Sequence, residues 1–107
     1  MSPITTHVLD TARGRPATGI PVTLEFVSDG QWITIGTGTT GNDGRIADLV
    51  AAGAKLRPGY YRISFATAAY SSFYPRIEVT FVVDNASEHY HIPLLLSPFG
   101  YSTYRGS

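Results

Sequence analysis

The stretch that decides the fold is Pro21–Trp32, which reads PVTLEFVSDGQW. From Val22 to Phe26 every second residue is apolar, and this period of two predicts a half-buried β-strand. Asp29-Gly30 follows the strand, and an Asp-Gly pair between two alternating runs is a strong signal for a tight hairpin. The β-branched run Trp32–Thr40 is then the partner strand.

The same alternation recurs on both sides of this hairpin. The further segments predicted as strands are Ile4–Leu9, Tyr60–Thr67, Arg76–Val83, His89–Leu96 and Tyr101–Arg105. Only Ala47–Lys55 and Ala66–Phe73 favour a helix, and the second, which lies between two strands, is the better candidate for one or two turns. About eight short strands with turns roughly every ten residues predict an all-β fold, a two-sheet antiparallel sandwich with one short helix. We expect residues 1–107 to form a single domain.

Composition excludes several classes of function. The 107 residues carry eight basic and eight acidic side chains, so neither nucleic acid nor a membrane surface is expected as a partner. No cysteine is present, which excludes a disulfide scaffold, a thiolate zinc site and a cysteine nucleophile. No apolar run approaches the roughly 20 residues that span a bilayer. The first residues do not resemble a signal peptide, and we expect a cytoplasmic protein.

Three histidines lie on predicted strands. His7 is in mid-strand, and His89 and His91 share the face of their strand that points away from the core. The ordinary interpretation is that all three are surface histidines. The pair His89-x-His91 would also fit a metal site, but no third ligand is evident nearby in sequence, and no metal is expected.

Other candidate groups are less distinctive. Arg45 follows the turn Asn42-Asp43-Gly44, where a lone arginine is usually a solvated charge. The serines Ser97, Ser102 and Ser107 lack the glycine-flanked elbow of a serine nucleophile. From these residues alone the function stays open.

The C-terminal stretch Ser97–Ser107 is aromatic and has no acidic residue, whereas chain ends are commonly polar and frayed. Leu95 shares the outward face of His91 on the preceding strand. Both features indicate a surface that contacts another subunit. The alternative is that a loop simply covers Leu95.

Four segments resemble the 5-hydroxyisourate hydrolase branch of the transthyretin family. They are Thr6-His7-Val8-Leu9-Asp10 with Gly14-x-Pro16-Ala17 behind it, Thr40-x-Asn42-x-Gly44-Arg45, Tyr90-His91-x-Pro93-Leu94-Leu95-Leu96-Ser97-Pro98, and Tyr101-Ser102-Thr103-Tyr104-Arg105-Gly106-Ser107. The ending Tyr104–Ser107 is the specific part, because hormone-carrying transthyretins lack it. They also lack histidine at the positions of His7 and His91.

The resemblance implies a transthyretin-like sandwich of eight strands with a short helix between the fifth and sixth. It implies a homotetramer, a dimer of dimers, with active sites in the channel where the dimers meet. The expected reaction is hydrolytic opening of 5-hydroxyisourate, a small-molecule substrate in urate degradation, without metal or organic cofactor.

The resemblance also implies the site. The catalytic residues would be His7, Arg45, His91 and Ser107; the substrate would contact His7, Arg45 and Tyr104; and Arg105 and Gly106 would support the tail. Water is the expected nucleophile, with His7 and His91 sharing its activation and proton delivery to the leaving ring nitrogen. Two alternatives remain: a transthyretin-like carrier of a small aromatic ligand, and a structural sandwich module of a larger assembly.

Overall fold

The computed structural model describes residues 2–107; Met1, where the predicted domain begins, lies outside them. The strands are β1 Ile4–Asp10, β2 Arg15–Pro16, β3 Pro21–Ser28, β4 Gln31–Thr39, β5 Arg45–Ile46, β6 Gly59–Ala66, β7 Arg76–Val83, β8 Tyr90–Ser97 and β9 Gly100–Thr103. One sheet has the order β2-β1-β8-β9, with β5 also paired to β1, and the other has the order β4-β3-β6-β7. The predicted two-sheet sandwich is therefore confirmed.

The core lies between the two sheets, where the alternating apolar side chains of the sequence meet. Along β1 buried and half-buried residues alternate without exception, which leaves Thr5 and His7 on the outer face. Val8, Ile63, Phe65 and Leu94 are fully buried. Burial of such side chains is the main source of stability in a chain that has no disulfide.

The Asp-Gly hairpin forms as predicted. Asp29 and Gly30 have φ values of 52° and 77°, and Ser28 pairs with Gln31 across the turn. Two consecutive residues with positive φ give the turn whose twist matches a β-hairpin.

The predicted short helix at Ala66–Phe73 is wrong: the described residues contain no helix, and this segment forms one hydrogen-bonded turn. The Ser71 amide donates to Thr67 O at 2.9 Å, and the Tyr74 amide then donates to Ser71 Oγ. Because the serine side chain, and not a backbone carbonyl, accepts from the Tyr74 amide and Pro75 follows, the turn is not propagated. Among residues 2–107, no helix is long and apolar enough to cross a membrane.

Three details of the sheets differ from the sequence prediction. β1 and β8 are parallel, whereas the remaining pairs are antiparallel. β2 and β5 are two-residue strands, too short for any alternation to reveal them. β9 ends at Thr103 rather than at Arg105, and the chain then returns to pair Gly106 with His91.

Candidate active site

The two predicted site histidines, His7 and His91, lie on the outer face of the β1 sheet. Thr5 on β1 is directly opposite His91 on β8, and His7 on β1 is directly opposite Arg45 on β5. Residues opposite each other in neighbouring strands project to the same face of the sheet. The pairing of β1 with both neighbours therefore brings together groups that are far apart in sequence.

A cleft of about 470 Å³ opens on this face. Its lining residues are Thr5, Thr6, Asp43, Arg45, Ile46, Ala47, His89, His91 and Ser107. The volume is in the range of small-molecule sites, and the walls combine apolar surface with a few polar groups. Of the predicted catalytic residues, Arg45, His91 and Ser107 line the cleft directly, and His7 lies beside it through its pairing with Arg45.

His91 is held on both sides. Its Nδ1 lies 2.8 Å from Thr5 Oγ1, and its carbonyl accepts a 2.9 Å hydrogen bond from the Gly106 amide. A Cβ on Gly106 would collide with the His91 ring, so the close approach requires glycine. The Gly106 backbone therefore holds the C-terminal segment against His91.

The electrostatics of the cleft favour a neutral His91. Burial lowers the pKa of His91 below its usual value of 6.5, and electrostatic repulsion from Arg45, His89 and His7 lowers it further. At pH 7 the ring is therefore mainly unprotonated and can accept a proton.

Arg45 is exposed, and in the part of the chain that the structure describes it forms no ion pair. Its own amide donates to Asp43 Oδ1 at 3.0 Å, which fixes the turn before β5. The guanidinium is thus available for a ligand with electron-rich oxygens.

His7 lies against the backbone of Gly44. Gly44 has a φ of 77°, and a Cβ there would overlap the carbonyl oxygen of Val8 and approach His7 Cδ2 to 3.2 Å. The turn before Arg45 therefore also determines where the His7 ring lies.

We expect Gly44→Ala to push the turn away from Val8 on β1 and so to change the position of Arg45 relative to His7. This should lower kcat/KM by about 10²-fold, because small misplacements of a reacting group are costly. Gly14→Ala is the matched control: Gly14 has a φ of 68° but nothing within 4 Å of the added Cβ. Both variants carry the left-handed strain of about 1–2 kcal/mol. Steady-state kinetics on the two proteins, together with urea unfolding, separate strain from displacement. Equal activity in both would contradict the role given to Gly44.

Tyr104 and Arg105 do not reach this cleft. They line a second cleft of about 360 Å³ beside Phe81, Val82 and Tyr90. The Arg105 guanidinium lies 4.4 Å above the Tyr90 ring and donates to Glu88 at 3.2 Å. Arg105 thus clamps the tail against Tyr90 and Glu88. Tyr104, in contrast, is 56% exposed.

Sequence reasoning gave no role to Thr5 and considered His89 only as a metal ligand. The alternation of the strand could have indicated Thr5, because residues two apart on a strand share a face and Thr5 therefore lies on the same face as His7. The parallel register that places Thr5 opposite His91 has no local sequence signal. Among residues 2–107, no three His, Asp or Glu side chains are grouped so that they could hold a metal ion.

The fold and the site together define a two-sheet β-sandwich protein with a histidine–arginine cleft on the outer face of one sheet. The chain belongs to the HIUase/Transthyretin family, whose model matches residues 4–106.

Two curated relatives are similar over nearly the whole chain. The 5-hydroxyisourate hydrolase of Salmonella dublin is 46% identical over 110 residues, which cover 97% of this chain and 80% of the relative. The uric acid degradation bifunctional protein TTL of Arabidopsis thaliana is 48% identical over 120 residues. That match covers 98% of this chain but 37% of the plant protein.

Solved structures show that the fold occurs with different functions. The 5-hydroxyisourate hydrolase of Klebsiella pneumoniae superposes with a TM-score of 0.82 at 37% identity, covering 100% of both chains. Sea bream transthyretin in complex with thyroxine superposes with a TM-score of 0.87 at 33% identity, covering 97% of this chain and 94% of the other. The fold alone therefore does not decide between enzyme and carrier.

Proposed function

We propose that the chain is a hydrolase that opens the ring of 5-hydroxyisourate to give 2-oxo-4-hydroxy-4-carboxy-5-ureidoimidazoline, a step of urate degradation. The observation that carries the proposal is the meeting of His91, Arg45 and Ser107 in one cleft, with His7 beside Arg45. The 46% identity to the hydrolase of Salmonella dublin supports the same reaction.

In the proposed mechanism, water attacks the ring carbonyl. His7 and His91 share the removal of a proton from this water and the delivery of a proton to the leaving ring nitrogen. Arg45 binds the substrate oxygens and stabilises the oxyanion that forms. Loss of one such donor in other enzymes costs about 2.7–4 kcal/mol. Ser107, which lines the cleft, positions the substrate or the water.

The working form is proposed to be a homotetramer of single-domain subunits, a dimer of dimers, in the cytoplasm. The sheet face that carries the cleft also carries Leu9 and Leu95, both half-buried in the protomer. Packing of dimers on this face would enclose the cleft in a channel. Since Tyr104 lies outside the cleft of its own protomer, its proposed contact with the substrate is one between subunits.

The second candidate is a carrier of a small aromatic ligand, which the likeness to thyroxine-bound transthyretin favours. The lining of the cleft in this chain includes His91 and Arg45, which an apolar ligand would have to desolvate. A thyroxine titration distinguishes the two: the hydrolase hypothesis predicts no binding at micromolar concentrations.

The test of the proposed function is the ultraviolet decay of 5-hydroxyisourate generated in place from urate by urate oxidase. We expect the protein to accelerate the decay, and Arg45→Gln to lower kcat/KM by about 10²–10³-fold. The matched control is Arg13→Gln, which removes the same charge from an exposed arginine on the loop after β1. Equal losses in the two variants, or none in Arg45→Gln, would contradict a reaction in this cleft.

A further inference from the structure

The Thr5 hydroxyl lies between two imidazoles. Thr5 Oγ1 is 2.8 Å from His91 Nδ1 and 3.1 Å from His89 Nε2. Both distances are within hydrogen-bond range. The three groups come from opposed positions of β1 and β8, with His89 just before β8 begins, so the arrangement is part of the sheet register.

A hydroxyl has one proton, and so the two hydrogen bonds cannot be independent. If Thr5 donates to His89, it accepts from His91 Nδ1–H, and His91 Nε2 carries a lone pair. If Thr5 donates to His91 Nδ1, it accepts from His89 Nε2–H, and the proton of neutral His91 is on Nε2. The first direction makes His91 Nε2 an acceptor, and the second makes it a donor.

The other ring nitrogen of His91 faces open space. Within residues 2–107, Nε2 makes no hydrogen bond, yet no buried side-chain nitrogen there lacks a partner. Nε2 is therefore accessible, and His91 is a lining residue of the cleft. On the other side of Thr5, His89 is exposed to solvent.

We propose that Thr5 and His89 form a proton relay that connects Nδ1 of His91 to solvent and so switches neutral His91 between acceptor and donor. The inference rests on the proposed function, in which His7 and His91 share proton removal and delivery, and it adds that His91 takes part in both steps. Thr5 and His89 act through His91 and are positioning residues.

The proton balance closes in each direction. When Nε2 takes a proton from water, the Nδ1 proton moves to Thr5 Oγ1, the hydroxyl proton moves to His89 Nε2, and His89 releases its Nδ1 proton to solvent. When Nε2 gives its proton to the leaving nitrogen, each of these transfers runs in reverse. No imidazolium has to persist at position 91, where burial and the charge of Arg45 disfavour it.

Kinetics on three variants test the relay. Thr5→Val keeps the shape of the side chain but removes the hydroxyl, and we expect kcat to fall at least tenfold with KM little changed. Thr5→Ser restores most of this loss. His89→Ala lowers kcat severalfold and is partly rescued by added imidazole, which takes up protons from Thr5 in place of His89. Imidazole does not rescue Thr5→Val, because the missing hydroxyl is the group that connects His91 to His89.

A second measurement does not depend on activity. The populations of the two His91 tautomers, read from ¹⁵N ring shifts, should change on His89→Ala when Thr5 is present. In the Thr5→Val background the same substitution should leave them unchanged. Coupling of equal size in both backgrounds would overturn the relay, as would wild-type kcat in Thr5→Val.

The two measurements also separate the relay from the proposed function. A protein that shows Thr5-dependent tautomer coupling but does not accelerate 5-hydroxyisourate decay retains the hydrogen-bonded relay and refutes the proposed reaction. An active protein without the coupling retains the reaction and refutes the relay.

Discussion

Replacing His91 by alanine should lower kcat/KM for 5-hydroxyisourate by about 10²–10⁴-fold, the range that a positioned acid–base group contributes. His91 lines the cleft and has an accessible ring nitrogen. Its removal leaves the deprotonation of water and the protonation of the leaving nitrogen to His7 and solvent. The measurement is steady-state decay of 5-hydroxyisourate, corrected for the spontaneous reaction. The oligomeric state and the circular dichroism of the variant should match the wild type.

The pH profile gives the same prediction a second readout. Burial, then Arg45, His89 and His7, lower the pKa of His91, so the neutral ring persists to a lower pH than 6.5. Protonation of the ring removes the acceptor, and therefore the wild-type kcat/KM should fall on the acid side only below pH 6.5. His91→Asn, which retains a polar atom near the position of Nδ1, should be as slow as His91→Ala. High activity in either variant would contradict the role of His91.

Removing the last four residues, Tyr104–Ser107, should abolish detectable catalysis while leaving a folded sandwich. The truncation deletes Ser107 from the cleft, the Gly106 amide that binds His91 O, and the Arg105 clamp. β9 ends at Thr103 and keeps its pairing with β8, so the core is preserved. The expected stability loss is small, because the tail contributes mainly exposed contacts.

The control for the truncation is Arg105→Ala, which loosens the clamp but leaves Ser107 in the chain. We expect it to retain more activity than the truncated protein. Urea unfolding of both, at one protein concentration, shows whether the fold is intact. A truncated protein with full activity would contradict the role of the tail.

The sandwich was predictable because its long strands alternate apolar and polar residues, as in Val22–Phe26. The hairpin at Asp29-Gly30 was predictable because few residue pairs accept two positive φ values. β2 and β5 were not predictable, since a strand of two residues is too short to show an alternation of apolar and polar side chains. The helix predicted at Ala66–Phe73 does not form, because the Ser71 side chain accepts from the Tyr74 amide and Pro75 ends the turn.

The site was predictable only in part. Family resemblance pointed to His7, Arg45, His91 and the tail, and the structure brings Arg45, His91 and Ser107 into one cleft. The place of Thr5 between His89 and His91 depends on the parallel register of β1 and β8, which is a tertiary property. The position of Tyr104 in a separate cleft depends on where β9 ends, and strand ends are poorly marked in sequence.

The measurement that tests the central claim most directly is the number of 5-hydroxyisourate molecules consumed per protomer above the spontaneous rate. A carrier that merely sequesters its ligand can account for at most one. We predict many turnovers per protomer, at a rate proportional to protein concentration and not reduced by thyroxine. Consumption that stops at one molecule per protomer, or decay at the spontaneous rate, would contradict the hydrolase.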